Sequence, residues 1–187
     1  MLPKNLARYA EKFKDISSNQ FERVRKYLSE NKFNKRDIKQ FDEELKKALK
    51  KKKSTIKIVL DILPEPTPRP RLSRGMFYVK NANSNNKFME VLVRKESDIF
   101  HLIDSPCELI VRTYHPIPKA FSKVKTILAE LGIIRPDKKP DWDNLGKTYS
   151  DMIQKWIISD DAIIIDGEVH KYYSIKPRVE ITISYQN

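Results

Sequence analysis

Residues 139–165 read KPDWDNLGKTYSDMIQKWIISDDAIII. At about 100° per residue, a helix from about Asn144 to Trp156 puts Leu145, Tyr149, Met152, Ile153 and Trp156 on one side. Asp143, Lys147 and Asp151 form a stripe on the other. Two aspartates one residue apart, Asp141 and Asp143, stand at the helix start. A second acidic pair, Asp160 and Asp161, leads into the β-branched run Ile163 to Ile165. The stretch therefore predicts a helix handing over to a strand, with carboxylates before and after the helix.

Working outward, the apolar patterns alternate between helix and strand. Thr55 to Leu63 (TIKIVLDIL), Met76 to Lys80, Glu108 to Tyr114 (ELIVRTY), Glu168 to Ile175 and Val179 to Tyr185 (VEITISY) read as strands. Asn85 to Ile103 reads as a helix. So does Phe121 to Leu131, with Val124, Ile127, Leu128 and Leu131 on a packing face and Gly132 as its stop. The expectation is an α/β (α+β) domain over 54–187, a mixed sheet packed with helices. No glycine-rich phosphate loop is present.

Residues 1–53 differ in composition. They hold 17 Lys+Arg and 8 Asp+Glu, so they carry +9 of the formal net charge of +12. Apolar residues at helical spacing (Phe21, Val24, Tyr27, Leu28, then Ile38, Phe41, Leu45, Leu49) predict two or three helices. Ser17 or Ser18 and Asn34 are the candidate caps. This is a basic helical N-terminal extension. Its densest tract, KKALKKKK, ends in Lys50, Lys51, Lys52 and Lys53. It reads either as a phosphate contact or as a solvated helix end suited to the negative pole of the helix dipole.

A sequence pI near 9.6 favours a polyanionic partner. Between the first two predicted strands, PEPTPRPRLSRG cannot continue helix or ladder. It sets Arg69, Arg71 and Arg74 on a stiff extended loop, placed to grip a phosphate backbone. Cys107 is the single cysteine, and the three histidines (His101, His115, His170) lack ligand spacing, which excludes disulfides within the chain and a cysteine-based zinc cage. Cys107 begins an apolar run and reads as a buried, inert thiol. No apolar segment approaches the ~20 residues of a membrane span, and the amino terminus lacks a signal-peptide core, so the expectation is a cytoplasmic protein.

The carboxylates admit two readings. In one, an aspartate caps the helix, the other is solvated, and Asp143 with Lys147 is an ordinary i, i+4 pair. In the other, Asp141, Asp143 and Asp161 converge as a hard oxygen site suited to Mg2+, with Mn2+ as a substitute, and Asp160 and Asp151 support it. The adjacent pair favours the second reading, because a cation offsets the repulsion of neighbouring carboxylates in an apolar setting. A metal-activated water would then attack a phosphodiester, with Lys147 placed to stabilise the transition state or leaving oxygen.

KPDWDNLGKTYSDMI followed by ISDDAII resembles the signature of the RusA-like Holliday junction resolvases, in which D-x-D-N-L-x-K leads a helix and a D-D pair follows. Asp141, Asp143, Asn144, Leu145, Lys147, Asp151, Asp160 and Asp161 carry the match. Lys171 falls at the place of a later family lysine and is counted among the DNA-binding residues. The resemblance extends more loosely to the PRPR loop and the final strands, covering roughly residues 55–187. It implies that Asp141, Asp143 and Asp161 ligate Mg2+, that Lys147 assists catalysis, and that a symmetric homodimer cuts four-way DNA junctions in recombination and repair. It also implies a bacterial or phage origin. The lysine-rich extension and the segment from Pro116 to Pro136 depart from the family core. Two alternatives remain open at this point: a less selective flap or fork nuclease, and a junction-binding architectural protein without turnover.

Overall fold

The computed structural model describes residues 18–31, 34–66, 71–73, 76–78, 102–154 and 156–186. Residues 85–101 of the helix predicted over Asn85 to Ile103, Ser17, Arg69 and Arg74 lie outside them, and Ile103, expected at that helix's end, instead forms an isolated parallel bridge with Ile158. The chain divides into two compact units between Lys51 and Lys52.

In the first unit, α1 spans Ser18–Glu30 and α2 spans Lys35–Lys50. Asn34 caps α2 with a capping box: its side chain accepts from the Arg36 and Asp37 amides, and Asp37 accepts from the Asn34 amide. Ile38, Phe41 and Leu45 are half-buried on one face of α2.

The second unit holds a mixed four-stranded sheet packed with helices. The strands are β1 (Lys53–Leu60), β4 (Cys107–Pro116), β5 (Ile164–Ser174) and β6 (Arg178–Gln186), in the order β1-β6-β4-β5. β6 runs antiparallel to both β1 and β4, while β4 and β5 are parallel. A separate hairpin pairs β2 (Arg71–Ser73) with β3 (Met76–Tyr78). Between β4 and β5 come α3 (Lys123–Glu130) and α4 (Trp142–Ile153), then a 3-10 turn at Asp161–Ile163. A parallel pair needs such a crossover, and here the crossover carries the acidic motifs.

Strict alternation along β4 and β6 assigns one sheet face to the core. Leu109, Val111, Val179, Ile181 and Ile183 are buried there with Ile58 and Leu60 of β1. Leu145, Tyr149, Met152 and Ile153 of α4 close over them. Burial of this area is the main stabilising contribution. Cys107 is buried in the same core, and burial pushes its thiol pKa up, consistent with an inert thiol. Among the described residues, no helix is long and apolar enough to cross a membrane.

Three further details of the second unit depart from the sequence reading. The predicted packing face of α3 points outward: Val124, Ile127 and Leu131 are exposed, and the helix buries Ala129 instead. A helix of eight residues offers little area, and its closest attachment is to β5. Trp156 lies beyond the end of α4 and is exposed, although periodicity assigned it to the buried side. The two strand segments predicted over 163–175 form one continuous strand. Gly132, by contrast, ends α3 as expected: it adopts φ +73°, and the Ile133 amide bonds back to the Leu128 carbonyl.

Candidate active site

Asp141 is the N-cap of α4. Its side chain makes no capping hydrogen bond, so the carboxylate stands exposed at the positive pole of the helix. Asp143 occupies the first helical turn and Lys147 the next, both exposed, with Asp151 one turn further along the same stripe. The stripe faces away from the core, as its spacing predicts.

The helix start is seated on β5. Gly146 lies so close that a Cβ there would meet Val169 Cγ2 at 3.3 Å. Two residues further along β5, on the same face of the strand, Lys171 Nζ donates to the carbonyls of Lys138 (2.7 Å) and Pro140 (3.1 Å). The Lys139–Pro140 peptide bond is cis. Arg135 Nε donates to the Lys171 carbonyl at 2.9 Å, and its guanidinium lies 4.2 Å from the centre of the Tyr172 ring. Tyr172 stacks on Tyr114 of β4, and Arg178 of β6 covers the far side of Tyr114 at 3.6 Å. Two guanidinium groups thus bracket two rings across three strands.

The second acidic block is held differently. Asp160 Oδ1 accepts from the Ala162 amide and Oδ2 from Gln154 Nε2, which ties it to the C-cap of α4. Asp161 opens the 3-10 turn and is exposed. Among the described residues, no three His, Cys, Asp or Glu side chains lie close enough together to hold a metal ion. Asp141, Asp143 and Lys147 share the start of one helix, and Asp161 follows in the turn after it. The donor set still suits Mg2+: two exposed carboxylates, one of them unused as a cap. Mg2+ is commonly held by one or two carboxylates together with waters and a substrate phosphate.

A family model described as Endodeoxyribonuclease RusA matches residues 61–184. The chain belongs to that family. It is an endodeoxyribonuclease, and the match contains the D-x-D-N-L-x-K segment, the D-D pair and, of the four-stranded sheet, β4, β5 and most of β6, while β1 precedes it. A relative from Bacillus subtilis (strain 168), the uncharacterized protein YqaN, is 34% identical over 120 residues, 62% of this chain and 84% of the relative. The first unit, residues 1–51, precedes the RusA match entirely.

The remaining predicted contacts are dispersed. Arg71 heads β2. Lys50 ends α2, Lys51 is its C-cap, and Lys52 follows, all exposed. Lys53 begins β1, where its ammonium pairs with Glu108 at 2.6 Å. Sequence reading missed two residues near the site. His115 is half-buried, in hydrogen-bond contact with Thr113, and burial and the Lys171 charge lower its pKa. Arg135 gave no sequence signal beyond heading the basic segment RPDKK (135–139) that leads into the acidic stretch. Tyr149, fully buried in α4, has its pKa pushed up by desolvation.

Proposed function

We propose that this chain is a Mg2+-dependent, homodimeric endonuclease that resolves four-way DNA junctions in recombination and repair. The observation that carries the reading is the start of α4, where Asp141 keeps its carboxylate out of the capping bond and Asp143 and Lys147 follow it on an exposed face. In a RusA family member this is the D-x-D-N-L-x-K segment itself.

Asp141 and Asp143 would hold the ion, with Asp161 joining from the turn after α4 and Asp160 fixing that turn. Bound there, Mg2+ supplies an acidified water and offsets charge on the scissile phosphate. Asp141 and Asp143 orient the attacking water on one side of the phosphorus. Lys147, one turn along, donates to the oxygen on which charge develops as the phosphodiester breaks. The helix dipole adds positive potential at the same place. A symmetric dimer matches a substrate with two equivalent strands to cut. Arg69, Arg71 and Arg74, with Lys50, Lys51 and Lys52, supply backbone contacts.

The test compares wild type with Asp143→Asn on a four-way junction, a flap and a linear duplex, with Mg2+, Mn2+ or neither. Junction cleavage should require the cation and vanish in the variant while binding persists. Equal cleavage by both proteins would sink the metal assignment. Equal rates on flap and junction would establish the less selective nuclease, and junction binding without wild-type cleavage the architectural protein.

A further inference from the structure

We infer that Lys171 and Arg135 form a clasp that positions Asp141 and Asp143, and that Lys171 is a positioning residue instead of a phosphate contact. The inference rests on the nuclease reading of those two carboxylates.

The geometry runs through one face of β5. Lys171 pairs in register with Thr113, which is fully buried, so its side chain leaves the sheet on the core side. That is also the face on which Val169 meets Gly146. Two successive side chains of one face therefore carry the start of α4 and the loop that leads into it. The Lys171 ammonium spends its donors inward, on two carbonyls that flank the residue before Pro140, and Asp141 is the next residue along. A lysine serving as a phosphate contact would direct its ammonium to solvent, where its charge releases counterions.

Arg135 completes the clasp from the other end of the loop. It donates to the carbonyl of Lys171 itself and lies over the next ring, Tyr172. Tyr172 stacks on Tyr114, which Arg178 in turn covers, so the anchor spans β5, β4 and β6. Residues 135–140 are thus fixed at both ends to residues 171–172 of a rigid sheet. Catalysis by positioned carboxylates tolerates little slack: a displacement near 1 Å costs on the order of 100-fold in rate.

The test uses the full chain with Lys171→Met, Lys171→Arg and Arg135→Met. Three quantities are measured: kcat and KM on a four-way junction in Mg2+, the salt dependence of junction binding in Ca2+, and amide hydrogen exchange over residues 136–146. The clasp predicts that Lys171→Met lowers kcat by on the order of 100-fold, with KM and the salt slope unchanged and faster exchange in that segment. Lys171→Arg should restore part of the protection. A salt slope shallower by about 0.9, the value of one phosphate no longer neutralised, with exchange unchanged would overturn it in favour of a DNA contact. So would a variant identical to wild type in all three. If Lys171→Met does not fold, Arg135→Met decides, since faster exchange supports the clasp and unchanged exchange refutes it. If the wild type cuts no DNA, the nuclease reading fails, yet amide exchange over residues 136–146 still judges the clasp.

Discussion

Gln154 Nε2 donates to Asp160 Oδ2 across 3.2 Å, fastening the second acidic block to the end of the helix whose N-cap is Asp141. The adjacent aspartates consequently have different tasks. Asp160 spends both oxygens, one on Gln154 and one on the Ala162 amide, whereas Asp161 is exposed at the head of the turn. Asp161→Asn should abolish cleavage with an unchanged melting temperature. Asp160→Ala should cost about 1 kcal/mol of stability, the usual loss for a capping side chain, and lower the rate only partly. Thermal melts and junction cleavage on the two variants check this; the reverse pattern would exchange the assignments.

Gly146 sits where a Cβ would come within 3.3 Å of Val169 Cγ2. Replacing a helical glycine by alanine ordinarily gains up to ~1 kcal/mol, but here the added methyl meets a packed side chain. Gly146→Ala alone should show no such gain and should slow cleavage, because the helix start carries Asp143 and Lys147. In a Val169→Ala background the gain should return. Denaturant melts of the four proteins form a double-mutant cycle, and a coupling energy of zero would show that the contact imposes no constraint.

The lysine run at the unit boundary separates into two kinds. Lys50, Lys51 and Lys52 are exposed, whereas Lys53 faces Glu108. If the run binds phosphate, changing Lys50, Lys51 and Lys52 to Gln should weaken junction binding and reduce the salt slope by about 0.9 for each phosphate no longer neutralised. Lys53→Gln should leave the slope alone and shift stability by less than ~1 kcal/mol, as expected of a solvent-exposed pair. Binding isotherms at several salt concentrations distinguish the two. An unchanged slope in the triple variant would assign the run to packing.

What the sequence conveyed was mostly local. Asn34 three residues before Asp37 specifies its capping box within one helical turn, and the spacing of Leu145, Tyr149, Met152 and Ile153 specifies the buried face of α4. The β-branched and aliphatic runs likewise located β4 and β6. The clasp was illegible because Lys171 and the carbonyls it grips are more than thirty residues apart, and a lysine that binds carbonyls looks in sequence like one that binds phosphate. The exposed stripe of α3 shows the converse limit: periodicity identified an apolar face, but burial depends on what lies opposite it.

His115 supplies a pH dependence whose sign is fixed by its surroundings. Burial, and secondarily the charge of Lys171, lower its pKa below the ordinary histidine value of about 6.5. In the unfolded chain the ring takes up a proton more readily than in the folded one. Its contribution to stability is therefore intact above pH 6.5 and is lost as pH falls from there toward the folded pKa. Urea melts from pH 7.5 to 5 should show stability declining over that window, and His115→Gln should flatten the decline. In Lys171→Met, one of the two causes disappears, so the His115 titration followed by NMR should move upward. An unchanged titration there would mean that the lysine charge does not reach the ring.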